Sequence, residues 1–300
     1  MARSSRPPEL EVGKHFAGDR IQGARTYQED DYGWDNHRSG DFLMVLADGM
    51  GGHQGGDVAS TTAIETFVEQ YDLSAHTGIS ISQRLLDALH QTNQELARKI
   101  SHNPEMEGMG CTFLGVVCSR QGSQERLEWV SVGDSPLWLY RAGRLTQINA
   151  DHSMKPVLEN EVENKQLTAT EAKYHPERNM LRSALMGEHI ELIDLSKEPM
   201  PIYPGDSILL ASDGVLSLSD DNITEILSHK TTAQDMVDAL LSKITELGKK
   251  GQDNSTVIVL HRPRLEASKT PAKAKKYWLW TLFTLGLVLL GGFIWWKQFF

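Results

Sequence analysis

Phe42-Leu43-Met44-Val45-Leu46-Ala47-Asp48-Gly49-Met50-Gly51-Gly52-His53-Gln54-Gly55-Gly56-Asp57 is the stretch on which the reading of this chain turns. Six apolar residues run without polar alternation into an aspartate, the pattern of a strand buried on both faces. Five glycines in the next eight residues mean that the backbone turns tightly and comes close to something. The loop is not a Walker loop, because no Gly-Lys-Ser/Thr follows. Nor is it a dinucleotide fingerprint, since Gln54 stands where a third glycine is required. Beyond it, Ala59, Ala63, Ile64, Phe67, Val68 and Tyr71 recur at helical spacing over Asp57–Tyr71.

Two more aspartates have the same setting. Asp213 follows Ile208-Leu209-Leu210-Ala211-Ser212 and precedes Gly214; Asp253 precedes Asn254-Ser255-Thr256 and the apolar run Val257–Leu260. Strand ends meet at a common sheet edge, so residues far apart in sequence can gather there. Carboxylates gathered at one point repel and desolvate one another, and a hard divalent cation is the usual compensation. The chain therefore reads first as a metal-dependent enzyme.

Working outward, His15–Asp19 is a short strand followed by a loop, and Ser80–Ser101 is a second amphipathic helix. Strands are expected at Thr112–Ser119, Arg126–Val132, Leu137–Arg141 and Leu145–Ile148, parted by turn signals at Gln121-Gly122, Gly133-Asp134 and Ala142-Gly143. Residues 154–179 read as a polar, irregular surface flap. Ile190–Leu195 and Ile208–Ala211 read as strands, Asp221–Ser228 and Thr232–Leu247 as helices, and Val257–Leu260 as the closing strand. Strands, two helices, many strands, two helices and a strand fit antiparallel sheets covered by helix pairs on both outer faces, an α+β class.

The chain has 300 residues and a formal charge of −10. Beyond residue 263 there are six basic residues and one acid, so of that −10, residues 1–262 carry −15 and the tail +5. An acidic body argues against nucleic acid as the main partner. The two cysteines, Cys111 and Cys118, lie in what reads as one strand. Seven strand residues span about 23 Å, whereas a disulfide needs Cα atoms within about 7 Å. Free thiols fit a reducing compartment. The first residues carry no apolar stretch after their charges, so a secretory signal is not expected there.

Further candidates surround the aspartates. In Arg25-Thr26-Tyr27-Gln28-Glu29-Asp30-Asp31 the acids offer a metal contact and Arg25 a planar fork suited to phosphate, although acidic triplets are usually solvated turns. His53 is either a general acid for a leaving alkoxide or a surface group. Asp134, in Gly133-Asp134-Ser135, either reaches a further metal or caps a turn. His152 is at least as readily structural.

Read together, Arg25…Glu29-Asp30, Asp48-Gly-Met-Gly-Gly-His53, Gly110-Cys111-Thr112, Val132-Gly133-Asp134-Ser135, Asp151-His152-Ser153, Ser212-Asp213-Gly214 and Asp253-Asn254-Ser255-Thr256 resemble, in order, the type-2C metal-dependent protein Ser/Thr phosphatases (the PPM family), in its bacterial form. The resemblance spans about residues 12–262. It implies an α-β-β-α sandwich with two Mn²⁺ or Mg²⁺ ions at one end. By position Asp48 would bridge both ions, Asp213 and Asp253 would hold the first, and the Gly49 carbonyl with Glu29 would serve the second. Asp134 would match the acid that, with Asp213, binds a third, weaker ion, and Arg25 the phosphate-binding arginine. Residues 154–179 match the flap beside the site. Three departures stand out: Pro136 where the family usually has Arg, Cys111 where Ser or Thr is common, and Met50 where eukaryotic members carry a catalytic His.

The reaction so implied is hydrolysis of phosphoserine and phosphothreonine on phosphorylated proteins by activated water, without a phosphoenzyme. A cysteine phosphatase mechanism is excluded, because the residues six places after Cys111 and Cys118 are Val117 and Gln124, not arginine. The rival readings are a membrane-tethered pseudophosphatase that senses or scaffolds, and a two-metal phosphodiesterase or nuclease.

The C-terminal stretch stands apart. Tyr277 to Trp296 is twenty residues without a charge, with Tyr277, Trp278 and Trp280 at one end and Trp295-Trp296 at the other. That length and those aromatic ends suit a transmembrane helix. Four lysines from Lys269 to Lys276 precede it, which places the domain before it on the cytoplasmic side. The expected organisation is a flexible N-terminus (1–11), a catalytic domain (12–262), a basic linker (263–276), a transmembrane helix (277–296) and a short tail (297–300). A lipid bilayer and a membrane Ser/Thr kinase whose action is opposed are the expected partners.

Overall fold

Alternation within the apolar runs sets the layers of the molecule. In strand β3 (Phe42–Met50) Leu43, Val45 and Ala47 pack against helices α1 (Gly55–Leu73) and α2 (Ile81–His102). Phe42, Met44 and Leu46 point the other way, into a core shared with Ile208, Leu210, Ile258 and Leu260. Those four belong to β11 (Ser207–Ala211) and β12 (Ser255–His261). The opposite faces of β11 and β12, Leu209, Ala211, Val257 and Val259, pack on helices α5 (Asp220–His229) and α6 (Ala233–Leu247). Each central strand is covered on both faces, which is why it is continuously apolar. The computed structural model describes residues 10–36, 40–51, 55–75 and 77–264.

The remaining elements are β1 (Phe16–Ile21), β2 (Asp30–Asn36), β4 (Gly110–Cys111), β5 (Phe113–Gln121), β6 (Gln124–Val132), β7 (Leu137–Arg141), β8 (Arg144–Gln147), α3 (Lys155–Glu163), α4 (Ala169–Lys173), β9 (Asp194–Leu195) and β10 (Met200–Ile202). One sheet runs β1-β12-β11-β7-β8 and the other β10-β6-β5-β3-β2, with β4 on β3 and β9 on β6. The pairings are antiparallel. Two stacked antiparallel sheets with a helix pair outside each form the α-β-β-α sandwich expected above.

Local chemistry starts and stops the helices. Ser80, Ser219 and Thr232 each accept a backbone N–H in the first turn of α2, α5 and α6. Gly248 ends α6 in the left-handed conformation.

Five expectations need correction. The segment after β1 is not all loop: Asp30 and Asp31 open β2, an edge strand whose half-buried polar residues hide its period. Asp48 lies inside β3 rather than at its end, because the strand runs on to Met50. Residues 154–179 hold α3 and α4, which are too short to show periodicity, although Thr168 and Glu171 form a readable capping box. Within 190–195 only Asp194–Leu195 pairs as strand. Cys111 and Cys118 fall in two strands, β4 and β5, and both are buried free thiols. The proposed transmembrane stretch 277–296 and His53 lie outside the described residues. Among those described, no helix is long and apolar enough to cross a membrane.

Candidate metal-binding active site

The alternation that builds the core also delivers the acids. Asp48 has the same parity in β3 as Met44 and Leu46, so it faces the space between the sheets. Asp30 of β2 is its direct cross-strand partner. Like charges directly opposite each other are destabilising, and the other sheet compensates. Asp30 is buried and its Oδ2 accepts from Ser212 Oγ and Thr256 Oγ1, both at 2.7 Å. Ser212 and Thr256 share the inward parity of Leu210 and Ile258. Asp30 therefore bonds the edge strand of one sheet to two central strands of the other, beneath the site.

Asp213 begins a short 3₁₀ turn directly after β11, and Asp253 lies just before β12. Asp134 sits in the turn between β6 and β7. Asp48, Asp134 and Asp213 line one cleft of about 500 Å³, with Met50, Leu181 and Arg182 also on its lining. The acids are electrostatically one group. Burial, then the charges of Asp30 and Asp213, raise the Asp48 carboxyl well above the ordinary carboxylate range. Burial, then Asp134 and Asp253, raise Asp213 to about 6. Burial raises Asp134 too, against the pull of Lys155, and likewise Asp30, against its hydroxyl partners.

The glycines beside the aspartates have steric causes. A Cβ on Gly214 would overlap the Asn254 carbonyl oxygen, and one on Gly49 would overlap the carbonyl oxygens of Gly56 and Glu29. The Asp-Gly pairs thus mark places where two backbones touch behind an acid. Gly214→Ala is expected to cost at least about 1–3 kcal/mol by displacing the turn that holds Asp213. A thermal melt equal to wild type would show that the turn yields freely.

Asn254 organises the N-terminal side of the site. Its Oδ1 accepts from Glu29 N at 2.8 Å, and its Nδ2 donates to the carbonyls of Gln22 and Tyr27 at 2.8 and 3.0 Å. Glu29 is thereby fixed under the glycine-rich turn, and its buried Oε1 has no hydrogen-bond partner. Thr112 ties the cleft wall together, donating to or accepting from Ser135 Oγ at 2.7 Å and accepting from Asp48 N at 3.1 Å.

Two cations hold acids of this group. Arg25 Nη2 bonds Asp253 Oδ2 at 2.5 Å, a contact that raises the guanidinium pKa further. Lys155 Nζ lies 3.2 Å from Asp134 Oδ2 and 3.8 Å from Asp151 Oδ2. With Asp253 and Asp134 so engaged, no three His, Cys, Asp or Glu side chains among the described residues close into a coordination shell. The donor set nevertheless fits hard divalent ions. An orphaned buried carboxylate oxygen and three cleft carboxylates, each raised by burial and by the charge of a neighbouring acid, are what positive charge would relieve.

The structure thus brings together Asp48, Asp134, Asp213 and Asp253, sets Glu29 and the Gly49 backbone beside them, and puts Arg25 on the outer side through Asp253. His152 is structural: it is buried, and its Nδ1 accepts from Gly133 N at 3.3 Å. Sequence reasoning offered Asp30 only as one of three acids for a metal contact, not as the clamp it is, and assigned no role to Asn254, Lys155 or Arg182. Asp30 and Asn254 were within reach, since each neighbours an acid already singled out. Lys155 and Arg182 carry no local signal, because only the packing of α3 and of the segment after it brings them to the cleft.

A family model described as Protein phosphatase 2C matches residues 17–251. Serine/threonine protein phosphatase PstP of Mycobacterium tuberculosis is 33% identical over 228 residues, 75% of this chain and 41% of that protein. The match thus spans about two fifths of that relative's length. Serine/threonine phosphatase stp of Listeria monocytogenes is 28% identical over 241 residues, 79% of this chain and 91% of that protein. The crystal structure of the PstP catalytic domain in complex with two manganese ions superposes with a TM-score of 0.66 at 30% identity, covering 81% of this chain and 96% of that one.

Proposed function

The chain belongs to the protein phosphatase 2C family, and on that footing we propose that it hydrolyses phosphoserine and phosphothreonine on proteins with two Mn²⁺ or Mg²⁺ ions. The observation that carries this reading is the convergence of Asp48 from one sheet with Asp213 and Asp253 from the other, with the Asp48 and Asp213 carboxyls both raised by burial and by the acids around them. A fold neighbour crystallised with two manganese ions supports the ion count.

Asp48 would bridge the ions, Asp213 and Asp253 would hold one, and Glu29 with the Gly49 carbonyl the other. Bound there, the ions supply polarisation of the phosphoryl oxygens and a water of lowered pKa. The protein's own residues do the rest. Asp30, clamped by Ser212 and Thr256, fixes the position of Asp48. Arg25 presents a planar fork to the phosphoryl oxygens, and Arg182, exposed on the cleft wall, a second guanidinium. In such a loose transition state the barrier falls mainly through positioning and charge stabilisation. His53 of the glycine-rich loop is our candidate for protonating the leaving alkoxide.

Hydrolysis of p-nitrophenyl phosphate and of a phosphothreonine peptide, with Mn²⁺ and with chelator, tests the proposal. A pseudophosphatase would turn over neither, and faster hydrolysis of bis-p-nitrophenyl phosphate would favour a phosphodiesterase. Arg25→Ala is expected to raise KM for the peptide about tenfold, the value of one charge-assisted hydrogen bond, with kcat less affected. An unchanged KM would take Arg25 out of substrate binding.

We also propose that residues 277–296 anchor the enzyme in a membrane with the catalytic domain on the cytoplasmic side, where it opposes a Ser/Thr kinase. The twenty uncharged residues, their aromatic ends and the preceding lysines support this. Tethering would raise its effective concentration near membrane substrates.

A further inference from the structure

Lys155 breaks a local rule. It is the first residue of α3, where the helix dipole disfavours a cation, and the first turn of α3 has no acid. Its placement is nonetheless firm. Met154 N donates to Met180 O at 3.0 Å and Arg182 N to His152 O at 2.8 Å, so the chain entering α3 is stitched to the cleft wall. Lys155 N donates to Ser153 Oγ, and Ser153 N to Asp151 Oδ1. The side chain is 15% exposed and its Asp134 partner 6%. An ammonium fixed there is a point charge set among carboxylates, and it acts on Asp213 as well as on Asp134.

We propose that Lys155 is the chain's built-in counter-ion for Asp134: its ammonium occupies that carboxylate, keeps a divalent ion from it, and pins α3 beside the cleft. The proposal rests on the two-ion reading and revises one part of it, the expected third ion on Asp134. A fixed positive charge about 3 Å from the carboxylate both satisfies it and repels an incoming dication. Asp134 is then a positioning residue for α3, and docking of α3 and ion binding at Asp134 exclude each other.

Calorimetric titration of the metal-free full-length protein with MnCl₂ tests this without recourse to activity. Wild type and Lys155→Arg should bind two ions. Lys155→Met should bind a third, at least tenfold tighter than any residual third binding in wild type. Asp134→Asn should still bind two, and trypsin should cut it after Lys165, just beyond α3, several-fold faster than wild type. The proposal is overturned if Lys155→Met gives the wild-type isotherm. It is also overturned if Asp134→Asn loses an ion that wild type binds, or is cut no faster. If Lys155→Met does not fold, the Asp134→Asn arm decides alone. Absence of Mn²⁺ uptake by wild type would instead overturn the two-ion reading itself, and the inference with it.

Discussion

Asp48→Asn and Asp213→Asn are each expected to lower Mn²⁺-dependent turnover of a phosphopeptide by more than about a thousandfold, roughly 4 kcal/mol of lost transition-state stabilisation, while the metal-free fold becomes more stable. The first effect follows from the proposed roles of these carboxylates, which come from different sheets and line one cleft. The second follows from what they cost without ions. Asp48 faces Asp30 across the strand pair and feels Asp213, Asp134 and Asp253. An amide of the same shape removes one charge from that group and can still bond Asp30. Relief of even about 1 kcal/mol would raise the melting temperature in chelator by about 2–4 °C for a domain of this size. Activity assays and thermal melts in chelator check the two halves separately. Turnover within tenfold of wild type would remove the residue from the reaction, and a lower melting temperature would show that the repulsion is already relieved.

Metal-free protein is expected to lose stability as pH rises from 5 to 8, and Mn²⁺ is expected to abolish or reverse that slope. Asp213 titrates at about 6 in the folded protein against an ordinary 3.8. Between those values the folded state binds more protons than the unfolded state, so stability falls as pH rises through that window. The loss from this group is at most about 3 kcal/mol. Asp48, raised by burial and by the surrounding acids, acts in the same direction. His15, His152 and His261, whose pKa values burial lowers, act oppositely below about 6.5. The decisive quantity is therefore the difference between wild type and Asp213→Asn: wild type should lose ground to the variant on going from pH 5 to 8 in chelator. With Mn²⁺ present the ions require ionised carboxylates, and stability should rise with pH. Parallel melting curves for the two proteins in chelator would show that Asp213 carries no raised pKa.

Much of the architecture could be read before any coordinates. The runs at 42–47, 208–211 and 257–260 are apolar on both parities, and that alone demands cover on two faces. Helical spacing marked α1, α2 and α6. The Asp-Gly pairs at 48–49 and 213–214 drew attention to the site, for a reason visible only in the fold: each glycine lets another backbone pass behind the acid. β2 escaped because an edge strand is half-buried and so carries polar residues on both parities. α3 and α4 escaped because nine and five residues are too few for a period to emerge.

What the sequence determined by itself was local: which stretches must be buried, where turns begin, and which acids stand at the ends of buried runs. What only the tertiary structure decided was charge partnership. Arg25 meets Asp253 across 228 positions and Asp30 meets Thr256 across 226, while Lys155 leaves its own helix to reach Asp134. A carboxylate's burial and its distance from other charges set its pKa and its claim on an ion. Neither is a property of neighbours in the chain, so the chemistry of these acids exists only once two sheets have been stacked face to face.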